Sequence, residues 1–88
     1  MKVYFDGRKS QDKTVLHQHI KDILSFPDYY GGNLDALYDC LCEISQETVI
    51  VLTHGEELEN NLHEYANALL KTLRDAQKAN KRITIELE

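Results

Sequence analysis

Three carboxylates, Asp35, Asp39 and Glu43, recur every four residues in the middle of the chain. Residues four apart on a helix share one face, so this spacing predicts a single acidic row. Paired carboxylates can serve acid and base catalysis, and glycosidases hold theirs about 5 to 9.5 Å apart, a span that Asp35 and Asp39 could meet. Catalysis also needs a concave, water-excluding pocket that separates the two pKa values, which a convex helix face does not provide. The row therefore favours binding over catalysis.

The histidines and cysteines offer no second catalytic constellation. His17 and His19 lie two residues apart on a predicted helix and cannot share a metal ion, while His54 and His63 are isolated in sequence. We interpret all four as structural or surface histidines. Cys40 falls between two leucines of another predicted helix, which favours a packed thiol over a reactive one. We predict that the protein is not an enzyme and needs no cofactor and no metal.

The cysteines and the hydropathy pattern indicate the compartment. Cys40 and Cys42, the only cysteines, lie two apart on a helix and face different directions, so we expect no disulfide between them. Two reduced thiols fit a reducing compartment. No apolar run approaches the roughly 18 residues of a membrane span, and Asp6 interrupts the start of the chain before a signal-peptide core can form. We predict a soluble, cytoplasmic protein that does not bind a membrane.

Size and charge limit the fold and the partners. A chain of 88 residues fits one domain, predicted to span residues 1–88, with one modest core and no deep substrate cleft. Ten Lys and Arg residues against fifteen Asp and Glu residues give a net charge of −5. This balance argues against nucleic acid as a direct partner and favours a basic protein.

The acidic residues are concentrated in the middle of the chain. No Lys or Arg occurs between Lys21 and Lys71, a gap of 49 residues. Ten of the fifteen acidic residues lie in this gap: Asp22, Asp28, Asp35, Asp39, Glu43, Glu47, Glu56, Glu57, Glu59 and Glu64. We expect a negative potential over this part of the surface.

The hydrophobic periodicity predicts three strands and four helices. The strands are predicted over residues 2–6, 48–52 and 82–87, and the helices from a cap at Thr14 to about residue 25, from a cap at Asn33 to residue 44, over residues 56–60 and over residues 62–79. Asn80 is expected to take a left-handed conformation after the last helix. The continuous apolar run over residues 48–52 is typical of a central strand buried on both faces. Strands separated by helical crossovers favour a small parallel sheet with right-handed connections, so the fold class is α/β, in two or three layers.

The stretch from Pro27 to Leu41, PDYYGGNLDALYDCL, carries the strongest signal. Its two glycines allow positive φ before the predicted cap. Tyr29, Tyr30 and Tyr38 place aromatic rings beside the acidic row, and tyrosine next to charge is typical of protein interfaces. From the residues alone two interpretations remain, an interface or a solvated helix face with tyrosines half in the core.

This stretch resembles the barstar family, intracellular inhibitors of the secreted bacterial ribonuclease barnase. The family pattern Pro-acid-Tyr-Tyr-Gly-x-Asn-Leu-Asp-Ala-Leu-aromatic-Asp-Cys-Leu stands here without a gap, and the likeness extends to most of the 88 residues. The resemblance implies a three-stranded parallel sheet, the same fold that the periodicity predicts. It also implies that the second helix and the loop before it block the active site of a basic, barnase-like ribonuclease in a one-to-one complex, with the inhibitor a monomer when free.

The resemblance assigns the partner-binding residues by motif position. Asp39 corresponds to the aspartate that takes the place of a substrate phosphate, and Asp75 lies near an acidic contact of the last helix. The full set predicted to contact the partner is Tyr29, Asn33, Leu34, Asp35, Tyr38, Asp39, Cys42, Glu43, Ile44 and Asp75. The family's barnase inhibitor has tryptophan at the position of Tyr38 and glycine-tryptophan at Glu43-Ile44, so the choice of ribonuclease stays open.

Two other functions also stay open. The acidic helix could neutralise a different basic protein, as an immunity or regulatory module would, and inhibition assays with purified nucleases distinguish these cases. A weaker alternative is a structural domain whose acidic face only aids solubility.

Overall fold

The computed structural model describes residues 1–88 and contains seven regular elements. They are β1 (Lys2–Asp6), α1 (Lys13–Leu24), α2 (Leu34–Cys42), β2 (Thr48–Thr53), α3 (Gly55–Leu62), α4 (Glu64–Ala79) and β3 (Ile83–Leu87). The strands form one parallel sheet in the order β1-β2-β3. The predicted fold class, a small α/β fold with a three-stranded parallel sheet and four helices, is confirmed. None of the helices is long and apolar enough to cross a membrane.

All four helices lie over one face of the sheet, which gives two layers. Each strand contributes a residue to the core from the same face of the sheet: Phe5 from β1, Ile50 from β2 and Ile83 from β3. Tyr4 and Val51 are register partners on the opposite face and lie outside this core. This arrangement follows from the strand order, because two right-handed crossovers that step in the same direction put both helix pairs on the same side. β2 is the central strand, as predicted, and it is buried on both faces, since Ile50 and Leu52 on the helix side and Val51 on the other side are 1 to 3% exposed. The second face has no helix over it: Tyr4 is 54% exposed, and Val51 lies between Tyr4 and Glu86 of the neighbouring strands.

The predicted apolar stripes of the helices form the core. The residues that are 2% exposed or less include Leu16 and Ile20 of α1, Leu37 and Leu41 of α2, and Leu69 and Leu73 of α4. Full burial of a leucine contributes about 1.5 to 3 kcal/mol. The contact of α2 with α4 is the largest between two helices. It fixes the orientation of α2 and turns the opposite face of this helix to solvent.

Several predicted helix boundaries differ from the structure, and α2 ends at Cys42 rather than at residue 44. The N-cap of α1 is Asp12, whose carboxylate accepts a hydrogen bond from the Val15 backbone N–H at 2.8 Å, and Thr14 lies inside the first turn. The prediction of Thr14 as the cap is wrong. Asp12, two residues earlier, is as good a capping residue as threonine, and its negative charge is favourable at the helix N-terminus. Leu62 ends α3 rather than beginning α4, and the two helices are separated at His63, where φ is +50°.

Asn80 is buried and joins the end of α2 to the turn before β3. Its φ of −127° and ψ of 106° are extended, so the predicted left-handed conformation is wrong. Its amide Nδ2 donates to the backbone oxygens of Leu41 at 3.0 Å and Ile44 at 2.9 Å, and its Oδ1 accepts from the Arg82 N–H at 3.1 Å. The last carbonyls of a helix have no partner within the helix. The Leu41 carbonyl accepts from the Ile44 N–H at 3.2 Å and from Asn80, and the Ile44 carbonyl accepts from Asn80. This tertiary role outweighs the local preference for a left-handed cap.

Two histidines of α1 are structural, as interpreted from the sequence. His17 is 3% exposed, and its ring nitrogens lie 2.6 Å from the hydroxyls of Tyr30 and Tyr65. The Nε2 of His19 accepts a hydrogen bond from the Asp6 backbone N–H at 3.0 Å. Burial lowers the pKa of both histidines. Both imidazoles are therefore held in the neutral form.

Replacing Asn80 by alanine should lower the free energy of unfolding by about 1 to 3 kcal/mol, because the part-buried Ile44 carbonyl loses its donor and the Arg82 N–H loses its acceptor. Urea melts followed by circular dichroism measure the loss. Asn60→Ala is the matched control, since Asn60 is exposed and makes no side-chain hydrogen bond. Its effect should stay within about 0.5 kcal/mol. An equal loss in the two variants would contradict the role given to Asn80.

The neutral state of His17 and His19 predicts sensitivity to acid. Below the ordinary pKa of 6.5 the unfolded chain binds protons at these histidines that the folded chain does not bind. The free energy of unfolding should therefore fall as the pH is lowered from about 7 to about 5. A hydrogen bond from Arg8 lowers the pKa of Asp6 to about 2, so this carboxylate does not titrate in that interval.

Urea midpoints at several pH values test this prediction. The fall should be smaller in His17→Gln and in His19→Gln than in the wild type, because each variant removes one group that takes up a proton on unfolding. A pH dependence that both variants leave unchanged would assign the acid sensitivity to other groups.

Candidate protein-binding surface

The loop from Pro27 to Gly32 turns the chain from α1 into α2. A turn hydrogen bond joins the Tyr30 N–H to the Pro27 carbonyl oxygen at 3.0 Å. Gly32 has a φ of +67°, where a side chain would be strained, and Gly31 does not share this conformation. The predicted need for positive φ is thus confirmed at one of the two glycines. One left-handed residue suffices to bring the chain into the extended conformation of Asn33.

Asn33 begins α2 as the predicted N-cap. Its φ of −135° is extended, and its side-chain Oδ1 accepts a hydrogen bond from the Ala36 backbone N–H at 2.8 Å. Leu34 is half-buried against the core, and Asp35 lies exposed in the first turn, where the helix dipole favours negative charge. The cap therefore sets the position at which the acidic residues of α2 begin.

The acidic row, defined as Asp35, Asp39 and Glu43, lies on the exposed side of α2, away from the buried Leu37 and Leu41. The four salt bridges of the protein involve none of its carboxylates. Glu43 is the C-cap residue, at the negative end of the helix dipole. The row is therefore a run of uncompensated negative charge that faces solvent.

Asp75 of α4 lies close to the acidic row, beside Tyr38. The neighbouring Cys42 thiol, followed by the Asp75 and Asp39 carboxylates, raises the pKa of the Tyr38 hydroxyl. Carboxylates have this effect because they disfavour a negative phenolate nearby. The packing of α2 on α4 thus brings a fourth acidic residue, distant in sequence, to the same surface.

Lys71 is a residue of this surface that the sequence analysis missed. Its Nζ lies 2.7 Å from the Asp75 Oδ2 across one turn of α4. The hydrogen bond to Asp75 raises the pKa of Lys71. The spacing of i and i+4 on a predicted helix was the signal that could have found this pair. Among the acidic residues predicted to contact a partner, Asp75 is the only one with an intramolecular cation.

The three tyrosines of the motif do not share one environment. Tyr29 is 80% exposed and Tyr38 is 36% exposed, so both present aromatic rings to solvent. Tyr30 instead turns inward, where its ring packs at 5.0 Å from that of Phe26 and its hydroxyl meets His17. Two tyrosines, rather than the predicted three, lie beside the acidic row as exposed rings.

The remaining predicted contact residues lie at the end of α2. Cys42 is a free, half-buried thiol, and Ile44 follows the helix, half-buried against the core. Burial, with the Glu43 and Asp39 charges, raises the pKa of the neighbouring Cys40 thiol and makes it a poor nucleophile. Nine of the ten predicted contact residues thus belong to α2 and its flanking loops, and Asp75 alone comes from α4.

The acidic row is displayed rather than enclosed. The three surface depressions of the protein lie along α1 and the adjoining loop, or at the junction of α3 and α4, and none is lined by a residue of the row. No group of three or more His, Cys, Asp or Glu side chains is arranged to hold a metal ion. Exposed carboxylates flanked by exposed tyrosines form a surface suited to a complementary cationic surface on another protein.

Comparison with known proteins identifies a family and a relative of this chain. A family model described as "Barstar (barnase inhibitor)" matches residues 1–88. A Bacillus subtilis (strain 168) protein named "Putative ribonuclease inhibitor YrdF" is 43% identical over 77 residues, which cover 86% of this chain and 85% of that protein. The family match over the whole chain and the identity to this relative agree with the motif from Pro27 to Leu41. The chain belongs to the barstar family.

Proposed function

We propose that this protein is a stoichiometric inhibitor of a small, basic, barnase-like ribonuclease and performs no chemistry itself. The observation that carries the proposal is the acidic row, three exposed carboxylates on one face of α2 without an intramolecular salt bridge. The family description names a barnase inhibitor, and the relative is named a ribonuclease inhibitor. Both support the same function.

The acidic row has an electrostatic cost in the free protein. Like charges four residues apart on a helix destabilise it by about 0.2 to 0.5 kcal/mol per pair. Glu43 adds to this cost because it lies at the C-terminal end of α2. An active site that binds RNA phosphates carries cationic groups, and these would supply the missing counter-charges on association. The repulsion in the free inhibitor is thereby exchanged for attraction in the complex.

The predicted contact residues have distinct roles in this proposal. Asp39, at the centre of the row, takes the place of a substrate phosphate. Tyr29 and Tyr38 act as aromatic anchors, because exposed tyrosines supply contact area together with a polar tip. Tyr38 and the pair Glu43-Ile44 select the ribonuclease, since these positions differ from the family's barnase inhibitor.

In this proposal residues 1–88 act as one domain in the cytoplasm, as a monomer when free and in a one-to-one complex when bound. The free thiols Cys40 and Cys42 fit that compartment. The net charge of −5 opposes direct nucleic-acid binding and steers the inhibitor towards a basic enzyme. Such steering is screened beyond a Debye length of about 10 Å at 0.1 M salt. The biological role is to protect the producing cell from a ribonuclease before its export.

Titration against a panel of small, basic, microbial ribonucleases that includes barnase tests the proposal. At least one enzyme should lose all activity at an equimolar amount of inhibitor, because one acidic surface blocks one active site. Activity on an RNA substrate and the stoichiometry from calorimetry are the measurements. Full activity of every enzyme at micromolar inhibitor would refute the function and would favour a different basic partner.

The control for this test uses single charge removals. Asp39→Ala should weaken binding by about 2 to 5 kcal/mol, because a cationic group of the enzyme is left buried and unpaired. Glu59→Ala removes the same charge from an exposed site on α3 and should change affinity far less. Thermal melts on both variants verify folding. If Asp39→Ala and Glu59→Ala weakened binding equally, the acidic row would contribute to affinity only through the net charge of the protein.

Another prediction concerns the ion pair between Lys71 and Asp75, in which the Lys71 Nζ lies 2.7 Å from the Asp75 Oδ2. A cation of the partner must displace Lys71 to reach Asp75, and an exposed pair of this kind contributes little to stability. Lys71→Met should therefore strengthen binding by up to a few-fold. Lys78→Met is the matched control, since Lys78 is exposed on the same helix, is unpaired and has the same charge. Equal gains in the two variants would mean that only net charge matters.

A further inference from the structure

One imidazole connects three elements of the protein. His17 of α1 is 3% exposed. Its Nδ1 lies 2.6 Å from the hydroxyl of Tyr30, in the loop before α2, and its Nε2 lies 2.6 Å from the hydroxyl of Tyr65, on α4. The three rings also pack together, with centroid distances of 5.8 Å for His17 to Tyr30 and 6.0 Å for His17 to Tyr65. This Tyr-His-Tyr cluster lies outside the predicted contact residues.

The loop that Tyr30 belongs to has few other attachments. Between Asp28 and Gly32 the only backbone hydrogen bond is the turn bond from the Tyr30 N–H to Pro27. Asp28 pairs with Lys21 at 3.5 Å, but its side chain is fully exposed, where an ion pair holds little. The Tyr30 ring and hydroxyl therefore supply the buried attachment of this loop to the rest of the fold.

We infer that His17 is a positioning residue of the binding surface, which holds the loop from Pro27 to Gly32 in place through Tyr30 without contacting the partner. The inference rests on the proposed function. Tyr29, an exposed anchor, and Gly32, which leads into α2, lie on either side of Tyr30. A loop that is already ordered in the free protein loses less conformational entropy on binding, which raises affinity.

The hydrogen bonds of the cluster explain why the imidazole is neutral. A neutral imidazole has one donor and one acceptor nitrogen, so one tyrosine accepts from His17 and the other donates to it. Neither the Tyr30 nor the Tyr65 hydroxyl has another hydrogen-bond partner. A protonated imidazole would donate to both hydroxyls and leave two half-buried hydroxyl protons without an acceptor in the protein. The lowered pKa of His17, caused by burial, agrees with this arrangement.

Two phenylalanine variants separate positioning from stability. Tyr30→Phe and Tyr65→Phe each remove one hydroxyl from the same imidazole, so the melting temperature should fall by similar amounts in both. Only Tyr30→Phe releases the loop. In the free protein it should raise amide hydrogen exchange at residue 30, the one hydrogen-bonded amide of the loop, by roughly three- to tenfold, the equivalent of one hydrogen bond, and Tyr65→Phe should not. Tyr30→Phe alone should weaken inhibition of barnase, or of the panel enzyme that is inhibited, by a similar factor.

Substitution of His17 itself supplies a rescue test. An asparagine amide reaches the place of Nδ1, next to Tyr30, whereas a glutamine amide reaches the place of Nε2, next to Tyr65. Asparagine has the lower helix propensity, so His17→Asn should be no more stable than His17→Gln. His17→Asn should nevertheless bind the ribonuclease more tightly, because it keeps the attachment of the loop. A purely structural histidine would give affinities that follow the stabilities.

The hydrogen-exchange arm requires no ribonuclease and therefore decides the inference separately from the proposed function. If no panel enzyme is inhibited, the proposed function fails, and the exchange at the amide of residue 30 still shows whether Tyr30 holds the loop. Equal exchange in the two phenylalanine variants overturns the inference. Raised exchange in Tyr30→Phe with unchanged affinity overturns it as well, since the loop would then be held without effect on binding.

Discussion

Parallel pairing of the three strands is the constraint on which the rest of this structure depends. Parallel neighbours cannot be joined by a hairpin, so each connection must cross over, and here each crossover contains two helices. Because the strands are added in one direction, both crossovers lie on the same face of the sheet. α2 is thereby packed against α4 rather than against the sheet alone, and one of its faces is turned to solvent. The display of the acidic row follows from the topology as much as from its sequence.

The binding surface therefore depends on tertiary contacts, although most of its residues are adjacent in sequence. α2 has nine residues, and isolated helices shorter than about 12 to 15 residues are marginal in water, more so with three like charges on one face. Leu37 and Leu41 in the core, the Asn33 cap at one end and the Asn80 amide at the other hold it in place. Charge repulsion that would unwind a free peptide is tolerated because this support is independent of the exposed face.

Features determined by local spacing were predictable from the sequence. The three strands, the apolar stripes, the Asn33 cap and the positions of Asp35, Asp39 and Glu43 on one face of a helix all depend on neighbours within one turn. The motif between Pro27 and Leu41 added the family, which physical reasoning from the residues left undecided.

Apart from the cap of α1, where Asp12 takes the place of Thr14, the failures arose where a distant contact decides. Asn80 does not adopt its locally preferred conformation because its amide bonds two carbonyls that are 36 and 39 residues away. Tyr30 turns inward because its hydroxyl meets His17, which itself meets Tyr65 at a separation of 48 residues. The run over residues 48–52 correctly predicted a buried central strand but not what buries each face, since an apolar strand shielded by its sheet neighbours has the same composition as one covered by helices.

The strand register also determines how the chain must fold. Lys2 lies opposite Val49 and Thr48 lies opposite Ile83, so the paired strands are separated by 47 and 35 residues along the chain. No hairpin can nucleate such a sheet, and loop-closure entropy must be overcome before any strand contact is gained. Helical turns, which form within a microsecond, must therefore precede a sheet that is assembled late and around β2. With such high contact order, folding is slower than in a helical bundle of equal length, and newly made chains spend that interval with an unpaired apolar central strand.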